Sequence, residues 1–125
     1  MLVGIAALAT LSLVDWARRG HFINGEVTAF LIGVMPNVAA AIAIPFVILG
    51  IRVEQRKELS SAAVRWSFAV LSLVAGVGLI LWEVLQQSSR ALVFDPNDIG
   101  ATLIGLLLGW VVFNRLTPKF PPAVG

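Results

Sequence analysis

The sequence predicts an all-α protein, a polytopic bundle of membrane-spanning helices. Of its 125 residues, 58% are hydrophobic and only 13% are charged, whereas soluble domains carry about 25% charged residues. A soluble chain of this size could not bury so much apolar surface in one core. The apolar residues fall into four stretches, and we expect a single domain over residues 1–117 with spans at about 2–17, 27–51, 66–86 and 97–116. The alternative is three spans preceded by a short N-terminal helix.

The first stretch, residues 2–17, is the shortest of the four. A full span needs about 20 apolar residues, so this segment crosses the bilayer only where the bilayer is thin or locally pinched. A cleaved signal peptide is a rival interpretation, because Ala7-Leu8-Ala9 resembles a cleavage site. The segment has no basic region in front of its apolar run, which disfavours that interpretation.

The second stretch, residues 27–51, contains 25 residues without a charge. As one helix it would be about 38 Å long, more than the hydrocarbon core of about 30 Å. Pro36 and Pro45 lie inside it, and a proline removes a backbone donor and disfavours helix at the preceding residue. We therefore expect a kink or break near Pro36, with Asn37 able to satisfy the freed backbone groups. A kinked span is favoured over a re-entrant binding element.

The third and fourth stretches complete the bundle, with a polar loop before them over residues 52–65 and a flexible tail after them over residues 118–125. Tryptophans prefer the headgroup level of a membrane, and the four in this chain lie near stretch ends: Trp16, Trp66, Trp82 and Trp110.

The orientation follows from the distribution of Lys and Arg, which are more frequent in cytoplasmic loops. With four spans, one side carries Arg52, Arg56, Lys57, Arg65, Arg115 and Lys119, and the other carries Arg18, Arg19 and Arg90. Six against three predicts that loop 52–65 and both termini are cytoplasmic; if the first stretch does not cross, the N-terminus lies outside and the three later spans keep their orientation. The connection between the third and fourth spans then faces outward.

A polar face ends the third span. Glu83, Gln86 (or its neighbour Gln87) and Arg90 follow a helical spacing that places them on one side. A charged group turned to lipid costs roughly 2.5–3.5 kcal/mol, so this face is expected to look into the bundle.

The fourth span starts with a recognisable capping sequence. Asp95 is suited to the N-cap, Pro96 to the first helical position and Asp98 to the first turn, where carboxylates accept from free amides and lie in the positive end of the helix dipole. The predicted binding cluster consists of Glu83, Gln86, Arg90, Asp95 and Asp98, joined from the first outer loop by Arg19 and His21.

Small residues recur every four positions in the fourth span, at Ala101, Gly105 and Gly109. The third span offers Ser72 and Gly76 at the same spacing. Such rows let helix backbones approach closely, so we expect the third and fourth spans to pair tightly, with homodimerisation through the row as the weaker alternative. That pairing would bring Arg90 between the carboxylates.

Other chemistries have little support. The chain has no cysteine, no phosphate-binding glycine loop and no basic stripe with interleaved aromatics, so we expect no thiolate metal site, no cofactor and no nucleic-acid partner. His21 is the only histidine. It could act as a general base or metal ligand, but a solvated loop histidine is the commoner case, and no catalytic or metal-binding residue is assigned.

The third-to-fourth span region resembles the VanZ-like family of small bacterial membrane proteins. The similar pattern covers about 27 residues and reads Glu83-x-x-Gln86, Arg90, Phe94-Asp95-Pro96-Asn97-Asp98 and Gly105-x-x-x-Gly109. The segment from Arg19 to Phe22 is similar to the lead-in of another family helix. Two features depart from the pattern: Thr102 stands where the family usually has Asn, and Pro36-Asn37 has no clear counterpart.

The resemblance implies a multi-spanning envelope protein. Some members of the family are linked to glycopeptide (teicoplanin) resistance, which fold-level similarity does not transfer to this chain. It also implies that the family's signature positions are Glu83, Gln86, Arg90, Asp95, Asp98, Gly105 and Gly109.

These features lead to a functional hypothesis with two rivals. The hypothesis is an outward-facing polar pocket that binds an envelope lipid or a related amphipathic ligand. The first rival is a structural accessory subunit of a larger membrane complex. The second, less favoured, is a membrane enzyme that uses His21 with Glu83 or Asp98. Transport is disfavoured because no charge lies in the middle of a span and no repeat of broken helices is visible.

Overall fold

The computed structural model describes residues 1–20, 25–89 and 94–117, and within these ranges the chain is helical, with no strand. Four helices follow one another, which confirms the predicted all-α bundle: α1 (Leu2–Arg19), α2 (Glu26–Gln55), α3 (Ser61–Gln86) and α4 (Pro96–Leu116). The tail predicted over residues 118–125 lies outside the described residues.

Three of these helices, α2, α3 and α4, are long and apolar enough to cross a membrane. Helix α1 is not among them, since its 18 residues include three charged ones near its end: Asp15, Arg18 and Arg19. Its length and composition match the alternative prediction, in which three spans follow an N-terminal helix.

The connection between α2 and α3 is shorter than the predicted polar loop of residues 52–65. Helix α2 continues to Gln55, and α3 begins at Ser61. The Ser60 side chain caps α3 by accepting a hydrogen bond of 3.2 Å from the backbone N–H of Ala63. A serine cap satisfies an otherwise free amide, and it explains why the helix starts before the apolar stretch does.

Helix α2 is continuous over 30 residues although it contains Pro36 and Pro45. The helix is therefore not broken at Pro36, and it matches the favoured single span rather than a re-entrant element. At 1.5 Å per residue, α2 is about 45 Å long. Such a helix exceeds a hydrocarbon core of about 30 Å, so a tilt or extension beyond the core follows if it crosses a bilayer.

Helix α2 is the central element, because it packs against each of the other three. Among the described residues, α1 packs on α2 and not on α3 or α4. The two helices run antiparallel, with Gly4 beside Val47 at one end and Arg18 beside Ile32 at the other. The bundle thus has a polar end, where α1 and α3 end and α2 and α4 begin, and an opposite basic end.

The core of the basic half is aromatic. The rings of Phe68 and Phe113 are stacked with centroids 4.0 Å apart, and the Phe46 ring meets Phe68 edge-on at 5.0 Å. The Arg65 guanidinium lies 5.8 Å from the centre of the Phe113 ring and donates to the Thr117 carbonyl at 3.0 Å. Phenyl rings from three helices therefore hold α2, α3 and α4 together.

The small-residue row of α4 faces α2, which corrects the expected pairing of this row with α3. A Cβ on Gly105 would lie 2.6 Å from the Val38 carbonyl oxygen, so the two backbones are nearly in contact. Gly109 also faces α2, at Ile42 and Phe46. All three members of the row (Ala101, Gly105 and Gly109) are buried.

Helices α3 and α4 do meet, through a different contact. A Cβ on Gly76 would lie 2.7 Å from a methyl group of Leu106, so a glycine of α3 receives a leucine of α4. Ser72, one turn earlier, is half-buried. The spacing indicated that helices approach closely, but it could not specify which helix faced which.

Candidate polar site at one end of the bundle

Glu83 is the centre of the polar end. Only 4% of its surface is exposed. One carboxylate oxygen accepts from the backbone N–H of Asp95 at 2.8 Å, and the other accepts from the Gln86 side-chain amide at 2.9 Å. A carboxylate beside the first amides of a helix is stabilised by the helix dipole. Glu83 therefore joins the end of α3 to the start of α4.

Asp95 caps α4 as predicted. Its side chain accepts from the backbone N–H of Asn97 at 2.9 Å and from the Asn97 side-chain amide at 2.8 Å. Pro96 follows at the start of the helix, where its missing N–H has no helical acceptor. The predicted start of α4 is thus confirmed.

Asp98 is turned away from its own helix end. In a capping box, the side chain at this position reaches back to the N–H of the cap residue, but here Glu83 already accepts from the Asp95 N–H. The Asp98 carboxylate instead lies near the side chain of Asn37 on α2. Among the described residues, the charged groups close enough to act on it are Glu83, Asp95 and Arg18.

Thr102 lies beneath this cluster, one turn further along α4, with 2% of its surface exposed. Its hydroxyl donates to the Asp98 carbonyl at 2.9 Å. This bond satisfies the buried hydroxyl within its own helix.

Arg18 is the arginine that the described residues place in this cluster. Its terminal nitrogen donates to the Ile32 carbonyl at 2.8 Å and to the Gly33 carbonyl at 3.3 Å. The Ile32 carbonyl would ordinarily accept from residue 36. Because that residue is Pro36, which has no N–H, the carbonyl lacks its helical donor. The guanidinium supplies a replacement.

The predicted cluster is therefore partly assembled. Glu83, Gln86, Asp95 and Asp98 come together. Arg19 does not join them, since it is 79% exposed and pairs with Asp15 of its own helix at 2.6 Å. Arg90 and His21 lie outside the described residues.

The sequence analysis predicted no partner for Arg18. It predicted that Asn37 would satisfy the backbone groups that Pro36 leaves free. The signal for Arg18 was present, because a proline inside a helix leaves a carbonyl free four residues earlier. The direction of the α1–α2 packing was needed to identify the donor. Asn37 was identified as a polar group near the proline, and its side chain lies near the Asp98 carboxylate.

An apolar groove of about 250 Å³ opens beside the polar cluster, between α2 and α4. It is lined by Phe30, Val34, Val38, Pro96, Asn97, Gly100, Ala101 and Ile104. Drug-sized ligands occupy roughly 300–1,000 Å³, so the groove fits a slender group such as part of an acyl chain. A larger cavity of about 660 Å³ lies at the basic end, with residues of all four helices in its wall.

The two ends carry opposite charge. Among the described residues, the polar end has five acids against two arginines, a net −3: Asp15, Glu26, Glu83, Asp95 and Asp98 against Arg18 and Arg19. The described residues of the basic end are five cations against two acids, a net +3: Arg52, Arg56, Lys57, Arg65 and Arg115 against Glu54 and Glu58.

Comparisons of this chain with models of protein families, with curated proteins and with solved structures find no match. Within the described ranges, no three histidine or acidic side chains are grouped so that they could hold a metal ion. The geometry of the polar end is therefore the main guide to function.

Proposed function

We propose that this protein is an integral membrane protein that binds an envelope lipid, or a related amphipathic molecule, at its polar end. The observation that carries the proposal is the position of the α2–α4 groove. Most of its lining residues are apolar, and the polar one is Asn97, whose side chain donates to the Asp95 carboxylate. A molecule with an apolar chain and a polar head would match both surfaces at once.

The headgroup chemistry follows from the side chains near Asn97. Asp95, which accepts from Asn97, and Asp98 are acceptors, and the described residues of the polar end carry a net −3. The matching headgroup offers hydrogen-bond donors or an ammonium group, because charge complementarity favours opposite signs. Arg18 adds a positive charge near Asp98, which would suit the phosphate of the same lipid.

The proposed location is a bacterial inner membrane, with the polar end outward. Both termini are then cytoplasmic, because α1 lies antiparallel along α2 and Met1 packs against Gly50 near the basic end. This orientation rests on the six cations at the basic end against three at the polar end. The VanZ-like resemblance belongs to the same proposal. It is supported by Glu83, Gln86 and Asp95, three signature positions that hydrogen-bond as one network.

The test is lipid retention, measured by native mass spectrometry on protein reconstituted with phosphatidylethanolamine and phosphatidylglycerol and released from detergent. Gly100 lines the groove, and a Cβ there would meet nothing within 4 Å. Gly100→Leu should therefore fill the groove without disturbing the fold, and bound lipid should fall several-fold.

Gly78→Leu is the matched control. Gly78 is an exposed helical glycine of α3 that also has nothing within 4 Å of its Cβ position, and it does not line the groove. Asp98→Asn should shift the ratio of the two lipids toward phosphatidylglycerol, since it removes a negative charge. Equal lipid retention in Gly100→Leu and Gly78→Leu would refute the groove as the binding site.

The accessory-subunit alternative loses one of its supports. The row of Ala101, Gly105 and Gly109 packs against α2 of the same chain, so it is not free to receive a partner helix. Gly105→Leu is expected to disrupt the bundle itself rather than to release a partner. Stoichiometric partners that crosslink to the lipid-facing surface of α3 would instead favour this alternative.

A further inference from the structure

We propose that Arg18 is a positioning residue that fixes the end of α1 to α2 by replacing the amide hydrogen that Pro36 lacks. The proline creates a free acceptor on α2, and the arginine of another helix occupies it. Neither the proline nor the arginine, taken alone in the sequence, predicts this contact between α1 and α2. The inference concerns how the wall of the polar cluster is held, and it does not require any ligand.

The geometry of α2 identifies the acceptor. In a regular helix the Ile32 carbonyl accepts from the N–H of residue 36. Proline has no N–H, and a backbone carbonyl left unpaired away from water carries a large desolvation penalty. The Arg18 nitrogen lies 2.8 Å from that carbonyl oxygen and 3.3 Å from the next one, at Gly33. The bond to the freed carbonyl is the shorter of the two.

The Arg18 contact matters for the fold because, within the described ranges, α1 is attached to the bundle only through α2. Among the described residues, α1 packs on α2 alone. Its first half approaches α2 closely, since a Cβ on Gly4 would lie 2.5 Å from a Val47 methyl group. Near its other end Arg18 donates across to α2, whereas Arg19 pairs within α1.

The contact also places a charge in the polar cluster. Asn37 follows Pro36 directly, and its side chain lies near the Asp98 carboxylate. Arg18, which is bound to the Ile32 and Gly33 carbonyls, is one of the charged groups that act on the same carboxylate. The carbonyl that Pro36 leaves free therefore holds Arg18 in the neighbourhood of Asp98.

A double-mutant comparison tests the inference. In Pro36→Ala the new alanine can donate to the Ile32 carbonyl, so Arg18 should no longer be needed there. Amide hydrogen exchange is measured for residues 11–19 in the full-length protein in mild detergent. Arg18→Met should speed exchange roughly tenfold in the wild-type background, as expected for loss of a hydrogen bond from a charged donor. In the Pro36→Ala background the same change should speed it less than about twofold.

Two controls separate this role from general effects. Arg19→Met removes the neighbouring arginine, which pairs with Asp15 instead, and it should leave exchange unchanged. Pro45→Ala alters the other proline of α2, and it should not reduce the effect of Arg18→Met. These controls distinguish the paired contact from a loss of charge or a gain of helix propensity.

The outcomes are decisive in either direction. Equal acceleration by Arg18→Met with and without Pro36 would overturn the inference, and so would the absence of any acceleration. If Arg18→Met does not accumulate as folded protein, recovery of folded protein by adding Pro36→Ala supports the inference. Equal failure of both variants would contradict it. Lipid binding enters none of these readouts, so failure of the proposed function leaves this test unaffected.

Discussion

Replacing Gly105 by alanine should destabilise the bundle, whereas the same change at Gly109 should not. A Cβ at Gly105 would lie 2.6 Å from the Val38 carbonyl oxygen and 2.8 Å from the Ala41 Cβ. Ordinary contact begins at about 3.4 Å, so α4 and α2 would have to separate locally by about 0.8 Å. The obstacle is largely backbone, which cannot rotate away. Overpacking of this kind costs roughly 1–3 kcal/mol.

Gly109 provides the comparison within the same helix. It is also buried and faces α2, but its Cβ position is 3.8 Å from the nearest atoms, Ile42 and Phe46. Each replacement gains about 1 kcal/mol of helix propensity. That gain cancels between the two variants, so their difference in unfolding free energy should equal the overpacking cost at Gly105, about 1–3 kcal/mol.

The assay is reversible unfolding in mixed micelles of mild detergent and dodecyl sulfate, followed by circular dichroism. Gly105→Ala should unfold at a lower dodecyl sulfate fraction than the wild type, and Gly109→Ala at an equal or higher one. Gly76→Ala should fall between them, because the obstacle there is a methyl group of Leu106 that can rotate. If Gly105→Ala and Gly109→Ala unfold together, the close approach of α4 to α2 is wrong.

Three further predictions concern the polar end and the orientation. Glu83→Ala should lower the unfolding free energy by about 1.5–3 kcal/mol, because it leaves the Asp95 amide without its charged acceptor; Glu83→Gln, which keeps one acceptor oxygen, should lose less in the same titration. Asp95→Ala should cost about 1 kcal/mol through loss of the N-cap, and Asp95→Asn should cost almost nothing; equal losses would show that the cap contributes little. In intact cells, an impermeant thiol reagent should label a cysteine introduced at Ser88 and not one at Glu58, and the reverse pattern would invert the orientation.

The helices were predictable because each depends on local chemistry. Apolar stretches of sufficient length form helices in lipid, where backbone groups must be satisfied internally. Asp95 followed by Pro96 marked the start of α4 within the chain itself. Helix α3 begins several residues before the predicted third span, because hydropathy marks where lipid contact begins and Ser60 marks where the helix begins.

Contacts between helices were less predictable because a small-residue row shows that a partner comes close without showing which one. The row on α4 suited α3 and α2 equally by spacing, and it packs on α2. The relation of Arg18 to Ile32 required the antiparallel placement of two helices. That placement is a tertiary property, and no pattern within either helix encodes it.

Three charged side chains of this bundle form hydrogen bonds with backbone groups that lack a partner within their helix. Arg18 donates to the Ile32 carbonyl, Glu83 accepts from the Asp95 amide, and Arg65 donates to the Thr117 carbonyl at the end of α4. Where lipid replaces water, such groups have no solvent partner, so removing any of these side chains weakens the fold whatever else it does.

Asp98 differs from these residues, because the group that lies near its carboxylate is the side chain of Asn37 rather than backbone. Removing its charge by Asp98→Asn leaves the helix ends satisfied, and this residue lies next to Asn97 at the mouth of the apolar groove. Loss of lipid after Glu83→Ala could therefore result from a damaged fold. A change in lipid preference after Asp98→Asn, with unchanged unfolding free energy, would be a property of the binding site itself.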